Sequence, residues 1–481
     1  MKKEISLELL ADYYEYTMAN GYHELGMGDE IVYFDVFYRN VPDGGGFAIC
    51  GGLASIVEYV QSLHFDEEDI EFLRGKQIFS ESFLASLRDF RFTGDIWAMP
   101  EGTVIFPGEP IITVRARTVE AQVIETYLLV CFNHQSLIAT KANRIVRAAD
   151  GRAVLEFGAR RAQGASAAYL GARAAYIAGV AATSCTLSDQ LFGIPSSGTM
   201  AHSWVQMFDS ELDAFVKYCE IYPTNASLLV DTYDVLRSGV PNAIKAFDRV
   251  LRPLGITNCS IRLDSGDIAY LSRKARQMLD AAGWSSCRIA ASNSLDETII
   301  RDLLQQDGKV DFFGVGERLI TAKSDPVFGG VYKLCAVEKN GVIIPKIKIS
   351  ENVQKITTPH FKKVYRLFDK ANDKAIADLI CIHDEHIDDT KPLTIFDPDY
   401  TWKSKTLTNF YAVKLQTRIF KHGELVYEVP TIEASRAYCQ KQLDGMWDEV
   451  KRFENPHEYY VDLSQALWDE KQRLLHEHRR G

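Results

Sequence analysis

The sequence predicts an α/β protein built around βα units on a parallel sheet or barrel, and three observations predict it. Short apolar runs at 153–155, 228–230, 260–263 and 310–313 alternate with helical stretches, the pattern of strands crossing over through helices. Each run stops in a cluster of glycine and polar residues, as strands do where a parallel sheet presents its chemistry. By contrast, the β-branched and aromatic run 31–38 closes on Pro42-Asp43-Gly44-Gly45-Gly46, a turn that suits a partly antiparallel N-terminal domain.

Taken in order, residues 1–130 combine a helical start with strand signals, including an alternating run at 111–117 after Pro107-Gly108-Glu109-Pro110. A long helix is expected over 121–138. Residues 131–350 then carry the βα units, with chemistry expected at 156–164, 231–234, 264–267, 292–293 and 314–317. From 351 to 481 the chain is more charged. There a strand pair is expected within 402–421 and helices at 431–454 and 459–478.

Composition excludes several classes. With 46% hydrophobic and 25% charged residues over 481 positions, wholesale disorder is excluded. The balance of 54 Lys and Arg against 65 Asp and Glu gives −11, which argues against a nucleic-acid partner. It leaves room for a phosphorylated small substrate, because a few arginines can reverse the sign inside one cleft. No apolar run is long enough to span a bilayer, so no membrane partner is expected. Glu4 and Asp12 break any apolar leader, and nine scattered cysteines without a C-x-x-C pair read as reduced thiols. A cytoplasmic protein is the expectation.

Familiar nucleotide and metal motifs are absent: no G-x-x-x-x-G-K-[ST], no G-x-G-x-x-G after the first strand, no H-E-x-x-H. The cluster Cys381, His383, Asp384, Glu385 and His386 fits no closed zinc spacing. Four segments carry anion-binding chemistry. Phe157-Gly158-Ala159-Arg160-Arg161 sets two guanidinium forks after a strand, as an anion site or as an ion-paired helix start. Gly198-Thr199-Met200-Ala201-His202 ends a Gly-Ser-Thr loop on an imidazole, structural or catalytic. Arg262-Leu263-Asp264-Ser265-Gly266-Asp267 offers a cation and a hydroxyl acceptor, or simply a helix cap with an ion pair. Phe313-Gly314-Val315-Gly316 could present amides to a phosphate. Asn293 lies at a further strand end, and the tyrosines of Asp12-Tyr13-Tyr14-Glu15-Tyr16 are plates that stack on flat rings.

In order and spacing these segments, with Phe34-Asp35-Val36-Phe37-Tyr38-Arg39 and Gly44-Gly45-Gly46-Phe47-Ala48, resemble nicotinate phosphoribosyltransferases over about residues 8 to 366. The resemblance implies an irregular α/β barrel with an N-terminal β-rich (α+β) domain and a C-terminal α+β extension, usually as a homodimer. It implies a reaction of nicotinate with phosphoribosyl pyrophosphate, assisted by Mg²⁺ and coupled to ATP hydrolysis through a phosphorylated His202 that Asp231 orients. Arg262, Thr199 and a partner subunit's Tyr14 would frame the nicotinate. Arg160 would lie in the substrate pocket, Asp264 would contact the ribose, and Gly314 and Gly316 would bind phosphate. Asp12, Phe157, Gly198, Ser265 and Asn293 complete the expected site, with no metal ligand assigned. Ala181 stands where nicotinamide-using relatives carry an aspartate that would repel a carboxylate, which favours the acid. The rival readings are a nicotinamide phosphoribosyltransferase and a non-catalytic paralogue. Two departures are Glu317, where a hydroxyl is common, and His360, where glycine is expected.

Overall fold

The computed structural model describes residues 7–478, so Glu4 lies outside them. The chain divides into two compact units, one of residues 1–137 with 327–481 and one of residues 138–326.

The second unit holds six strands: β1 (Ala153–Glu156), β2 (Ala182–Thr183), β3 (Ala226–Leu229), β4 (Cys259–Leu263), β5 (Arg288–Ser292) and β6 (Phe312–Val315). They lie in the order β2-β1-β6-β5-β4-β3, every pair parallel. The two ends do not pair with each other, so the sheet is a curled half-barrel. Burial is continuous along β3 and almost so along β4, because helices cover a parallel sheet and leave no wet face. Those helices start where the sequence caps them. Asp267 accepts from the Tyr270 amide at 2.9 Å ahead of Ile268–Ala281, and Asp296 accepts from the Ile299 amide at 2.9 Å ahead of Glu297–Gln305. So the cap in the Asp264–Asp267 cluster is Asp267, and Asp264 is left for other work.

The first unit contains a seven-stranded antiparallel sheet in which distant parts of the chain alternate. Ile31–Phe37 pairs with Val331–Lys339 and Ile112–Arg117, while Asp95–Ala98 pairs with Thr417–Lys421. The stretches before 130 and after 351 therefore share one sheet. The expected helix at 121–138 is two helices, Thr118–Val123 and Glu125–Ala148. The expected pair at 402–421 is three strands: Ser404–Leu407, Phe410–Lys414 and Thr417–Lys421. The expected C-terminal helices shorten to Ile432–Asp444 and Gln465–Glu477, with strand Val461–Leu463 ahead of the latter. At the centre of this unit Arg366 and Asp378, both fully buried, meet at 2.8 and 2.6 Å. Arg366 also donates to the Val104 carbonyl, and Tyr459 to Asp378, so the buried charges are fully hydrogen-bonded.

A buried carboxyl in the same unit makes stability depend on pH. Glu15 is wholly buried, accepts from the Thr126 hydroxyl at 2.5 Å, and leaves its second oxygen without a partner. Burial, with Glu125 and Asp12 nearby, pushes its pKa up from 4.5 to about 8. The folded chain therefore keeps a proton that the unfolded chain loses. This stabilising contribution is complete below pH 4.5 and is lost as pH rises toward 8. Glu15→Gln is expected to flatten the fall in melting temperature over that range; an unchanged profile would mean Glu15 is ionised when folded.

Candidate active site

The carboxyl ends of β1, β4, β5 and β6 surround a cavity of about 150 Å³ lined by Phe157, Arg160, Arg262, Asp264, Asn293 and Gly314, with Gly316 and Arg161 beside them. Close packing shapes its floor. A Cβ on Gly314 would fall 2.5 Å from the Phe157 ring, and one on Gly316 would fall 2.9 Å from the Phe157 carbonyl oxygen. Both glycines are thus required by the approach of Phe157, whatever else their amides bind. After β5, Asn293 and Ser294 both adopt left-handed backbone, with φ of 74° and 56°.

Arg262 leaves β4 into this cavity and donates to the Thr199 hydroxyl of the glycine-rich loop. Its Nε is buried without a hydrogen-bond partner and lies 4.0 Å from Asp264 Oδ1. Burial lowers the pKa of this guanidinium and the charge of Arg160 adds to the effect, while Asp264 and Asp231 oppose it. A desolvated arginine with a spare donor is poised for an anion. The Asp264 carboxylate accepts from the Ser292 hydroxyl, and its own amide donates to Asp231 Oδ2 at 3.0 Å. The Ser265 hydroxyl donates to the same Asp231 oxygen at 2.6 Å. Asp231 Oδ1 remains buried and unpartnered.

His202 opens the short helix His202–Gln206, and its Nδ1 lies 3.1 Å from the Thr232 hydroxyl. The expected orientation of the imidazole by Asp231 is thus not the contact the structure makes. Asp231 is turned to the backbone of β4's exit, and its neighbour Thr232 holds the ring. Gly198 has open space where a Cβ would stand. Asp12 and Tyr14 belong to the first unit. There the Asp12 amide donates to the Thr126 hydroxyl at 3.1 Å, while Tyr14 is exposed and hydrogen-bonds Glu125.

Glu317 is exposed, lines the same cavity and is paired with Lys323 at 2.8 Å, so a neighbouring cation compensates its charge there. His360 holds φ at 79°, the left-handed backbone that favours glycine, and its Nδ1 accepts from the Phe361 amide at 3.0 Å. The amide of Ala181 donates to the Val154 carbonyl at 2.8 Å, at the entry to β2. Sequence reasoning missed Thr232 and Ser292 as contacts of the site. Their signal was only their place in polar clusters after strands. Among the described residues no group of three or more His, Cys, Asp or Glu could hold a metal, and no helix is long and apolar enough to cross a membrane.

Two family models match the chain: the nicotinate phosphoribosyltransferase N-terminal domain over residues 9–133 and its C-terminal domain over residues 361–471. A nicotinate phosphoribosyltransferase of Bacillus subtilis is 45% identical over 477 residues, which is 99% of this chain and 96% of the relative. One from Mycobacterium tuberculosis is 39% identical over 97% of this chain and 94% of the relative. The crystal structure of human nicotinic acid phosphoribosyltransferase superposes with a TM-score of 0.86 at 28% identity, covering 97% of this chain and all of that one.

Proposed function

Because this chain belongs to the nicotinate phosphoribosyltransferase family, we propose that it joins nicotinate to the ribose of phosphoribosyl pyrophosphate, releasing pyrophosphate, with ATP hydrolysis coupled through phosphorylation of His202. The observation that carries this reading is the gathering of Arg160, Arg262 and Asp264 around one cavity, with Arg262 hydrogen-bonded into the loop that leads to the imidazole.

Departure of pyrophosphate leaves positive charge on the ribose ring and negative charge on the leaving group. Arg160 and the free Nε–H of Arg262 are placed to stabilise that anion, an electrostatic contribution of preorganised donors. Asp264 accepts a ribose hydroxyl and faces the positive carbon. The pyridine nitrogen is already a nucleophile and needs only to be held in line, so no Ser-His-Asp or Cys-His arrangement is required. Asp264 and the unpartnered oxygen of Asp231 are the carboxylates that would hold Mg²⁺ brought in with the sugar diphosphate. When bound, that ion would neutralise phosphate charge. Alanine at 181 supports the acid over the amide. We further propose a homodimer in which a second copy brings Asp12 and Tyr14 to the base, and a cytoplasmic location, which nine unpaired cysteines support.

The deciding experiment is incubation with nicotinate, phosphoribosyl pyrophosphate and Mg²⁺, with and without ATP, followed by mass detection. The expected result is nicotinate mononucleotide, formed faster with ATP, and weak competition by nicotinamide. Preference for nicotinamide, or no mononucleotide from either base, would overturn the reading.

A further inference from the structure

Glu156 ends β1 and is fully buried, yet none of the steps above uses it. One carboxylate oxygen accepts the Gly158 amide at the head of the turn that carries Arg160. The other accepts the Thr183 hydroxyl, at 2.7 Å, from the end of the neighbouring strand β2. Thr183 is itself bound on both sides to the loop that leads to His202. Its amide donates to the Pro195 carbonyl at 3.0 Å, and its carbonyl accepts from the Ser197 amide at 2.8 Å. The Thr183 hydroxyl also accepts from the Cys185 amide at 3.0 Å, which fixes its rotamer. Space is as tight as the bonding: a Cβ on Gly158 would lie 2.7 Å from Glu156 Oε1 and 2.5 Å from Ile320 Cβ. A side chain at position 158 would therefore push against the carboxylate that holds its amide.

From these contacts we infer that Glu156 and Thr183 are positioning residues that join the arginine turn to the histidine loop, so that a change in one loop is felt by the other. Neither residue lines the cavity. The chain of contacts runs from Arg160's turn through Glu156 and Thr183 to Pro195 and Ser197, and on along the loop to Thr199, whose hydroxyl accepts from Arg262. A phosphoryl group arriving at His202 pulls on a segment tied directly to the turn that meets the phosphorylated sugar. This is a two-ended linkage through which ATP would tighten sugar-phosphate binding, and binding energies coupled in this way are reciprocal. The inference rests on the proposed function for its ligands. Its geometry does not.

Thr183→Val removes the hydroxyl and keeps the bulk, and Thr183→Ser keeps the hydroxyl. In Thr183→Val, the KM for phosphoribosyl pyrophosphate is expected to rise roughly tenfold with kcat little changed, and ATP should no longer lower that KM. Radiolabel from γ-labelled ATP should still reach the protein, because His202 keeps its own contact to Thr232. Thr183→Ser should restore both the KM and the ATP response. Glu156→Gln, whose NH₂ cannot accept the proton that Thr183 now donates, asks the same question if the valine variant fails to fold. A folded Thr183→Val or Glu156→Gln with wild-type KM and ATP response would overturn the linkage, as would a serine variant no better than the valine one. If the wild-type enzyme shows no ATP response, it is the phosphohistidine reading that fails. The KM comparison among the variants still decides the tether.

Discussion

Arg262→Ala is expected to lower kcat/KM by about 10³, or roughly 4 kcal/mol of transition-state stabilisation, the scale of a lost preorganised donor to a developing anion. The setting of the guanidinium accounts for the size of the loss. It is largely desolvated, one nitrogen is committed to Thr199, and Nε is buried with nothing to bond. A donor left unpaired in the free protein has lost its hydration already, so its interaction with an arriving phosphate oxygen is not offset by stripping water. Lysine would not replace it. An ammonium is a point charge that cannot hold the Thr199 hydroxyl and a phosphate oxygen in one plane. Arg262→Lys should therefore recover less than a tenth of the loss, against near-complete tolerance at an exposed arginine such as Arg237. Initial rates over a range of each substrate's concentration, beside thermal melts showing an intact fold, test this. A rate near wild type in Arg262→Ala would move the pocket elsewhere.

Much of this site was legible in the sequence because parallel strands announce themselves twice, as a short apolar run and as the polar cluster that follows. Glu156 to Arg161 after β1, Asp264 after β4, Asn293 after β5 and Gly314 to Gly316 after β6 were all found in that way. What the sequence could not show is which polar residue of a cluster faces inward. Asp231 and Thr232 are adjacent, and a strand-end bend of one residue decides that the threonine meets the imidazole while the aspartate turns to the Asp264 amide. Gly314 reads as a phosphate turn, yet the ring of Phe157 pressed against it is reason enough for glycine. The pairing of Asp95–Ala98 with Thr417–Lys421 spans more than three hundred residues. No local pattern encodes it, so the N-terminal and C-terminal stretches read as separate regions although they complete one sheet.

His202→Ala is expected to abolish ATP stimulation and the labelling of the protein by γ-phosphate, while slow mononucleotide formation without ATP persists. The residues proposed to meet the sugar phosphate and pyridine are different ones, so removing the imidazole should leave the electrostatic site standing. If His202 takes the phosphate, Nε2 is the nitrogen expected to attack it, because Nδ1 lies 3.1 Å from the Thr232 hydroxyl. Phosphate there adds close to two negative charges beside a loop already fastened to Arg262, which favours ordering of the loop over repulsion. Thr232→Val should then reduce the extent of phosphorylation without abolishing it, because the imidazole loses its fixed orientation but keeps its nucleophile. Phosphorus NMR of the labelled protein distinguishes the two nitrogens. Phosphate on Nδ1, or an ATP response that survives in His202→Ala, would show that the energy of ATP enters by another route. Arg262 would then keep its proposed role in the transfer, and His202 would be no more than the first residue of its short helix.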